Sequence, residues 1–333
     1  MTQRDRMSHT IPTMPDNRRC LVGDIGGSNA RFAIARRAAD GVALDHVVAM
    51  RGTDHVDLVA AIEYYLRTTG EQRPPAAAIA IAGPIVGDHA EITNHMAWSF
   101  PIEATRRRLA LERLTALNDF TAIALSLPHL RAGDQRQIGG GAATAGAPIG
   151  VIGPGTGLGV SGVLHTATGW AVIQGEGGHA TFGPMSERES RIADLLRARF
   201  GHVSWERVLS GPGLVNLYTA IAQLDGQAAE PLTPEAIDER GRNGSCAMCR
   251  EALETFCAVL GTAAGSVALT LGARGGVFIG GGIVPRLESF FDTSAFRSRF
   301  ESKGRLSDYV RPIPTFVITA AYPGLIGAAM AVL

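Results

Sequence analysis

Lysine is almost absent from this chain of 333 residues: Lys303 is the only one, and every other cationic side chain is an arginine. The scarcity excludes whole chemistries. A Walker-type phosphate loop needs its own lysine after a glycine, whereas Lys303 precedes Gly304. Schiff-base catalysis would have to rest on this one amine. An excess of one charge is missing too, because 31 basic and 31 acidic residues leave a formal net charge of zero. No basic field argues for nucleic acid, and no polybasic face argues for anionic lipid.

Cysteine is scarce as well, limited to Cys20, Cys246, Cys249 and Cys257. The Cys246-x-x-Cys249 spacing invites a zinc or redox reading. No second such pair follows, and the closest histidine in sequence is His202, so buried structural thiols on a helix over 248–271 explain it better. Long apolar runs are few. Residues 1–19 are polar without an apolar centre, which fits neither a signal peptide nor an anchor, and they read as a disordered extension. The uncharged run 256–273 reads as a buried helix. The run 315–333, broken by Pro323-Gly324, reads as strand, turn and helix. A cytosolic protein without a membrane partner is expected.

What the chain does have is length for two domains and 41 glycines clustered in short apolar contexts. Its coarse pattern repeats once. A strand over 21–24, a glycine turn and a strand over 30–36 are matched by a strand over 149–152, a turn over 153–159 and a strand over 160–165. A further strand follows each hairpin, over 42–50 and 170–173, and helices then alternate with strands. Helices are expected over 57–67, 120–127, 187–200, 213–223 and 255–271, with another starting at Ser99-x-Pro101. Strands are expected over 76–82, 114–117, 276–279 and 315–319. Two halves with the same opening order suggest a duplicated α/β unit.

Four motifs carry chemistry. In Gly23-Asp24-Ile25-Gly26-Gly27-Ser28, backbone N–H groups can nest a phosphate while Asp24 holds Mg²⁺ through its waters. A tight turn containing Asp explains the same residues. The turn Gly153-Pro154-Gly155-Thr156-Gly157-Leu158-Gly159 repeats that logic, and two such turns can grip one nucleotide from both sides. A dinucleotide fold would place a helix after the glycines, and here strands follow. Asn118-Asp119 stands at a strand-to-helix junction, where Asp119 can accept the proton of a hydroxyl attacking a γ-phosphate or simply cap the helix. Glu176 and His179 in Gly-Glu-Gly-Gly-His, with Glu206 following, suit the hydroxyls of a sugar. Solvated or loop positions are the alternative for Glu206 and His179.

The segments LVGDIGGSNAR, ITNHMAWSF, LNDFTA, GPGTGLGV, GEGGH, HVSWERVLSGPGLVNLY and GGVFIGGGIVPR, in this order from residue 21 to about 327, resemble the bacterial glucokinase family of the hexokinase, actin and heat-shock ATPase superfamily. The zinc motif of the ROK-type sugar kinases is absent. The resemblance implies two actin-like (ribonuclease H-like) α/β domains with an interdomain cleft. The smaller would span 20–129 plus 320–333, and the larger 130–319. It implies ATP and Mg²⁺ as cofactors, glucose as substrate, and a homodimer as an option. It places phosphate binding on Gly23, Asp24, Ile25, Gly26, Gly27, Ser28, Gly155, Thr156 and Gly157. The catalytic base falls on Asp119, the sugar contacts on Asn118, Asp119, Glu176, His179 and Glu206, and the adenosine near 280–282. Two other readings are a sugar-responsive repressor, for which residues 1–20 are too few to form a helix-turn-helix, and an inactive scaffold, which would lack the base or a phosphate loop. A kinase for another hexose is a further alternative.

Overall fold

Three strands in antiparallel succession open the described chain, which comprises residues 19–27, 29–39, 41–92 and 98–333 of a computed structural model. The extension expected over 1–19 therefore falls outside the described residues except at Arg19. The strands are β1 (Arg19–Ile25), β2 (Asn29–Ala38) and β3 (Gly41–Arg51). Strand β1 is buried nearly throughout, and a Cβ at Gly23 would crowd Ile79 Cδ1 at 2.8 Å and the Phe32 ring at 3.0 Å. Helix α1 (Leu58–Thr69) begins where Asp57 accepts the Ala60 amide at 2.8 Å and ends at Gly70, whose φ of 70° a side chain would strain. The chain returns as β4 (Ala76–Ile81), parallel to β1. A short ribbon of β5 (Ile85–Val86), β6 (His89–Ala90) and β7 (Phe100–Pro101) leads to α2 (Ile102–Arg108) and β8 (Arg113–Asn118). The main sheet is ordered β3-β2-β1-β4-β8 around a core of Phe32, Tyr65 and Trp98. Ser99 Oγ accepts the Ile92 amide at 3.0 Å, and α2, which starts after Pro101, instead has its first-turn Glu103 amide accepted by Asp88 Oδ1 at 3.0 Å.

The rest of the chain forms a second compact unit, 118–327, and residues 328–333 rejoin the first. There the carbonyls of Val332 and Leu333 accept from Arg113 and, at 3.1 Å, from Arg37. The second unit begins with α3 (Asp119–Ser126) and β9 (Gln135–Ile138). The strands β10 (Ile149–Pro154), β11 (Leu158–Thr166) and β12 (Gly169–Ile173) form its double hairpin. Helices α4 (Glu187–Phe200), α5 (Gly211–Leu224), α6 (Pro234–Arg242) and α7 (Ala247–Leu271) follow. Then come β13 (Val277–Ile279), α8 (Val284–Asp292), α9 (Phe296–Glu301), α10 (Ser307–Val310), β14 (Thr315–Ile318) and α11 (Pro323–Met330). The sheet runs β12-β11-β10-β13-β14-β9. Its first five strands repeat the order of the other unit: third, second, first, fourth, fifth. The duplication expected from the hairpins is thus present in the topology. Helix α3, placed before the boundary at 129 by the sequence reading, packs on β10, β11 and β12 of the second unit.

Helix α7 is long and apolar enough to cross a membrane by length and composition, yet 72% of its apolar window is buried, against α5, α6 and α9 among others. Cys246 is its N-cap, with Sγ accepting the Cys249 amide at 3.4 Å. Burial pushes the Cys249 and Cys257 thiols up to about 12. Among the described residues no group of three or more His, Cys, Asp or Glu gathers to hold a metal. The lone lysine is structural: Lys303 Nζ donates to the Thr262 carbonyl at 2.7 Å and to Ser266 Oγ at 3.2 Å.

Candidate active site

Strand β8 runs straight into α3, and the junction residues divide the work. Asn118 is the N-cap, its Oδ1 accepting the amides of Phe120 at 2.9 Å and Thr121 at 3.2 Å. The cap is therefore Asn118, and Asp119 takes the first helical position, where its Oδ1 accepts the Phe120 amide at 2.8 Å.

Phe120 carries the junction to the glycine hairpin of β10 and β11. Gly153 and Gly159 are cross-strand partners, and both face the Phe120 ring. A Cβ on Gly153 would be 2.5 Å from Phe120 Cζ, and one on Gly159 would overlap the ring outright. The turn between them is closed by Gly155 N–H donating to the Gly157 carbonyl at 2.8 Å. Two further elements hold it. The Gly211 amide, at the start of α5, donates to the Gly155 carbonyl at 2.8 Å. The glycine turn after β13 approaches from the other side: Gly280 N–H donates to the Ile152 carbonyl at 2.9 Å, and Gly281, at φ 78°, lies against Pro154 with no room for a side chain.

Glu206 also belongs to this turn. Its Oε2 accepts the Leu158 amide at 2.9 Å and lies 2.5 Å from where a Gly157 Cβ would be. Its own carbonyl accepts from Ser210, whose hydroxyl oxygen caps α5 through the Gly213 amide at 2.9 Å. The Gly-Glu-Gly-Gly-His segment runs alongside β11, Glu176 bridging to Val160, while Gly178 is pressed against the Leu158 carbonyl where no Cβ fits. Glu176 and His179 are exposed. The Trp205 amide donates to the Ala180 carbonyl at 2.9 Å and Thr181 pairs with Ser204, so the segments bearing Glu176, His179 and Glu206 are neighbours. Beneath them a cavity of about 250 Å³ opens between Trp205, Val160 and the Ser266 side of α7.

The first unit has a glycine turn of its own. Gly26 N–H donates to the Asn29 carbonyl at 2.9 Å, closing the hairpin over Gly27; Ser28 lies outside the described residues. Gly23, Asp24 and Ile25 end β1. Asp24 is paired across the hairpin with Arg31, whose Nη1 is 3.7 Å from its Oδ2. Burial raises the Asp24 carboxyl above its ordinary range, and the Arg31 charge opposes the rise.

Within the second unit the structure thus joins Asn118, Asp119, Gly155, Thr156, Gly157 and Glu206 through one hairpin, with Glu176 and His179 on the neighbouring segment. Sequence reasoning missed Phe120 and Ser210. Ser210 had a legible signal, a serine before Gly211-Pro212 at a helix start. Phe120 had none. Two glycine turns, a carboxylate at a helix N-terminus beside one of them, and two α/β units of one strand order make up a kinase-type fold. The glucokinase family model matches residues 21–333. Glucokinases of Chromobacterium violaceum and Aromatoleum aromaticum are 53% and 52% identical to this chain, each match covering 93% of it and 88% and 93% of the relative. The crystal structure of a glucokinase from an Antarctic psychrotroph superposes with a TM-score of 0.87 at 37% identity, covering 94% of this chain and 98% of that one. The chain belongs to the glucokinase family.

Proposed function

We propose that this protein transfers the γ-phosphoryl group of ATP to the 6-hydroxyl of glucose, with Asp119 as the base. The observation that carries the reading is the junction itself. Asp119 opens α3 while Asn118 caps it, and Phe120 ties both to the Gly153–Gly159 hairpin. The substrate oxygen bonds to the γ-phosphorus, the bond from that phosphorus to the β,γ-bridging oxygen breaks, and the hydroxyl proton passes to an Asp119 oxygen. Gly155, Thr156 and Gly157 bind phosphate through backbone amides and the threonine hydroxyl, and Gly23, Asp24, Ile25, Gly26, Gly27 and Ser28 are a second phosphate-binding segment. Asn118, Glu176, His179 and Glu206 hold the sugar hydroxyls, and the 280–282 turn meets the adenosine.

Mg²⁺ would neutralise the triphosphate when bound. A lone, largely buried carboxylate such as Asp24 suits a hydrated ion that takes its other ligands from phosphate and water, because Mg²⁺ sheds its waters reluctantly. Arg31 would compete for the same carboxylate. The shared strand order supports assigning both units to the actin-like, ribonuclease H-like class. A cytoplasmic location and association as a homodimer belong to the same reading and rest on the family alone.

Glucose-dependent ADP release, measured with and without Mg²⁺ and with several hexoses, tests the reaction. Asp119→Asn is expected to bind glucose as the parent does and to lose about 10²–10⁴-fold in turnover, the usual scale for a general base. Full turnover in that variant would return Asp119 to a purely structural role. Release of ADP with mannose in preference to glucose would reassign the substrate.

A further inference from the structure

We infer that Phe120 is a positioning residue that sets Asp119 against the phosphate-binding hairpin; the inference rests on the proposed roles of Asp119 and of the turn at 155–157. One residue touches both partners. Its amide donates to the Asp119 carboxylate at 2.8 Å and to the Asn118 cap at 2.9 Å. Its ring occupies the notch left where Gly153 and Gly159 pair without side chains. The ring fits only because both positions are glycine, since a methyl group on either would collide with it.

The floor of the notch is closely packed. Gly280, whose carbonyl carbon lies 2.8 Å from where a Gly153 Cβ would be, donates to the Ile152 carbonyl, and the neighbouring Val151, Phe278 and Ile318 are buried. A phosphorus held by the hairpin and a proton acceptor on α3 must keep one separation for in-line transfer, and errors of about 1 Å in such geometry can cost 10²-fold. The ring transmits that separation.

The test is a graded series, Phe120→Leu and Phe120→Ala, with Asp119→Asn alongside. Turnover per folded molecule, KM for both substrates and glucose Kd are measured on each. Phe120→Ala is expected to lose about 10–100-fold in kcat with glucose Kd within about threefold of the parent, and Phe120→Leu to recover most of the loss. A role in stability alone would lower the melting temperature and leave kcat per folded molecule unchanged, which would overturn the inference. Should Phe120→Ala not fold, Phe120→Val decides, with a loss of at least about fivefold expected and full turnover counting against the proposal. The contact is checked separately. Gly159→Ala should melt lower than the parent, and adding Phe120→Ala should cost less than the two single losses together. Strict additivity would refute the ring-in-notch contact. If Asp119→Asn keeps full turnover, the base assignment fails first and this inference falls with it, a result separable from a normal Phe120→Ala beside an inactive Asp119→Asn.

Discussion

Replacing Glu206 by glutamine and by alanine should separate two jobs that one carboxylate performs. Its Oε2 accepts the amide of Leu158, a residue only 5% exposed, so that amide has no easy recourse to water when the acceptor is lost. A hydrogen bond from a buried amide to a charged group contributes about 1.5–3 kcal/mol, equivalent to roughly 10–100-fold in an equilibrium constant. Glu206→Ala removes the acceptor and frees the end of the 155–157 turn, so KM for ATP should rise by up to that factor, together with KM for glucose. Glu206→Gln keeps an amide oxygen that can accept from Leu158 while losing the charge proposed to hold a sugar hydroxyl. KM for ATP should then stay within about threefold, while KM for glucose rises about tenfold or more, consistent with loss of a charge-assisted bond. Steady-state kinetics with each substrate varied at saturation of the other reads both effects. An unchanged KM for ATP in Glu206→Ala would sink the clamp, and an unchanged KM for glucose in Glu206→Gln would remove Glu206 from the sugar site.

Two further outcomes concern stability. Glu189, 5% exposed, pairs with Arg299 at 2.6 and 3.1 Å and also accepts the Met185 amide at 2.7 Å, so Glu189→Ala should cost about 3–5 kcal/mol in urea unfolding by leaving the guanidinium without its carboxylate, with only the Thr262 hydroxyl at 3.1 Å still accepting from it. Adding Arg299→Met should recover much of this, and a loss below about 1 kcal/mol would refute the reasoning. At alkaline pH two opposite trends are expected. Burial pushes the Cys20 and Cys257 thiols up to about 12, so the unfolded chain loses those protons first, and their stabilising contribution fades as pH rises from about 8.5 toward 12. Burial and Arg299 bring Lys303 down to about 8, so the folded chain loses that proton first and stability gains between about pH 8 and 10.4. Lys303→Met should remove the gain and let the urea midpoint fall earlier, whereas parallel curves for parent and variant would show that the amine titrates alike in both states.

How much of this was legible depended on whether a signal was local. The hairpins were readable because apolar runs flank glycines within a few residues, and the structure adds to the reading of Cys246-x-x-Cys249 that Cys246 caps α7 through the Cys249 amide. Helix α5 was placed to start at 213, although Ser210 caps it and the helical turn begins at Gly211; three residues of Ser-Gly-Pro-Gly read as loop until the cap is seen. The Asn118-Asp119 pair offered two carbonyl-type oxygens for one cap, and propensity alone cannot choose between Asn and Asp. Geometry chose Asn118, whose oxygen reaches both the Phe120 and Thr121 amides, and that choice puts Asp119 on the helix rather than before it.

The contacts that give the site its shape were not legible at all, because they depend on register. Phe120 meets Gly153 and Gly159 only because those two glycines pair across the hairpin, and Glu206 meets Leu158 only because the Ser204–Thr181 bridge brings its turn alongside. A single sequence contains the partners but not their pairing. It also presents Gly153 and Gly159 as two more members of a glycine-rich loop, when their hydrogens face an aromatic ring and the turn glycines Gly155 and Gly157 lie elsewhere in the same hairpin. Glycines that shape the turn and glycines that admit Phe120 therefore carry different constraints. Substitution at Gly155, where a Cβ would meet nothing within 4 Å, should be sterically tolerated by the fold, while the same change at Gly159 displaces the ring and with it the start of α3.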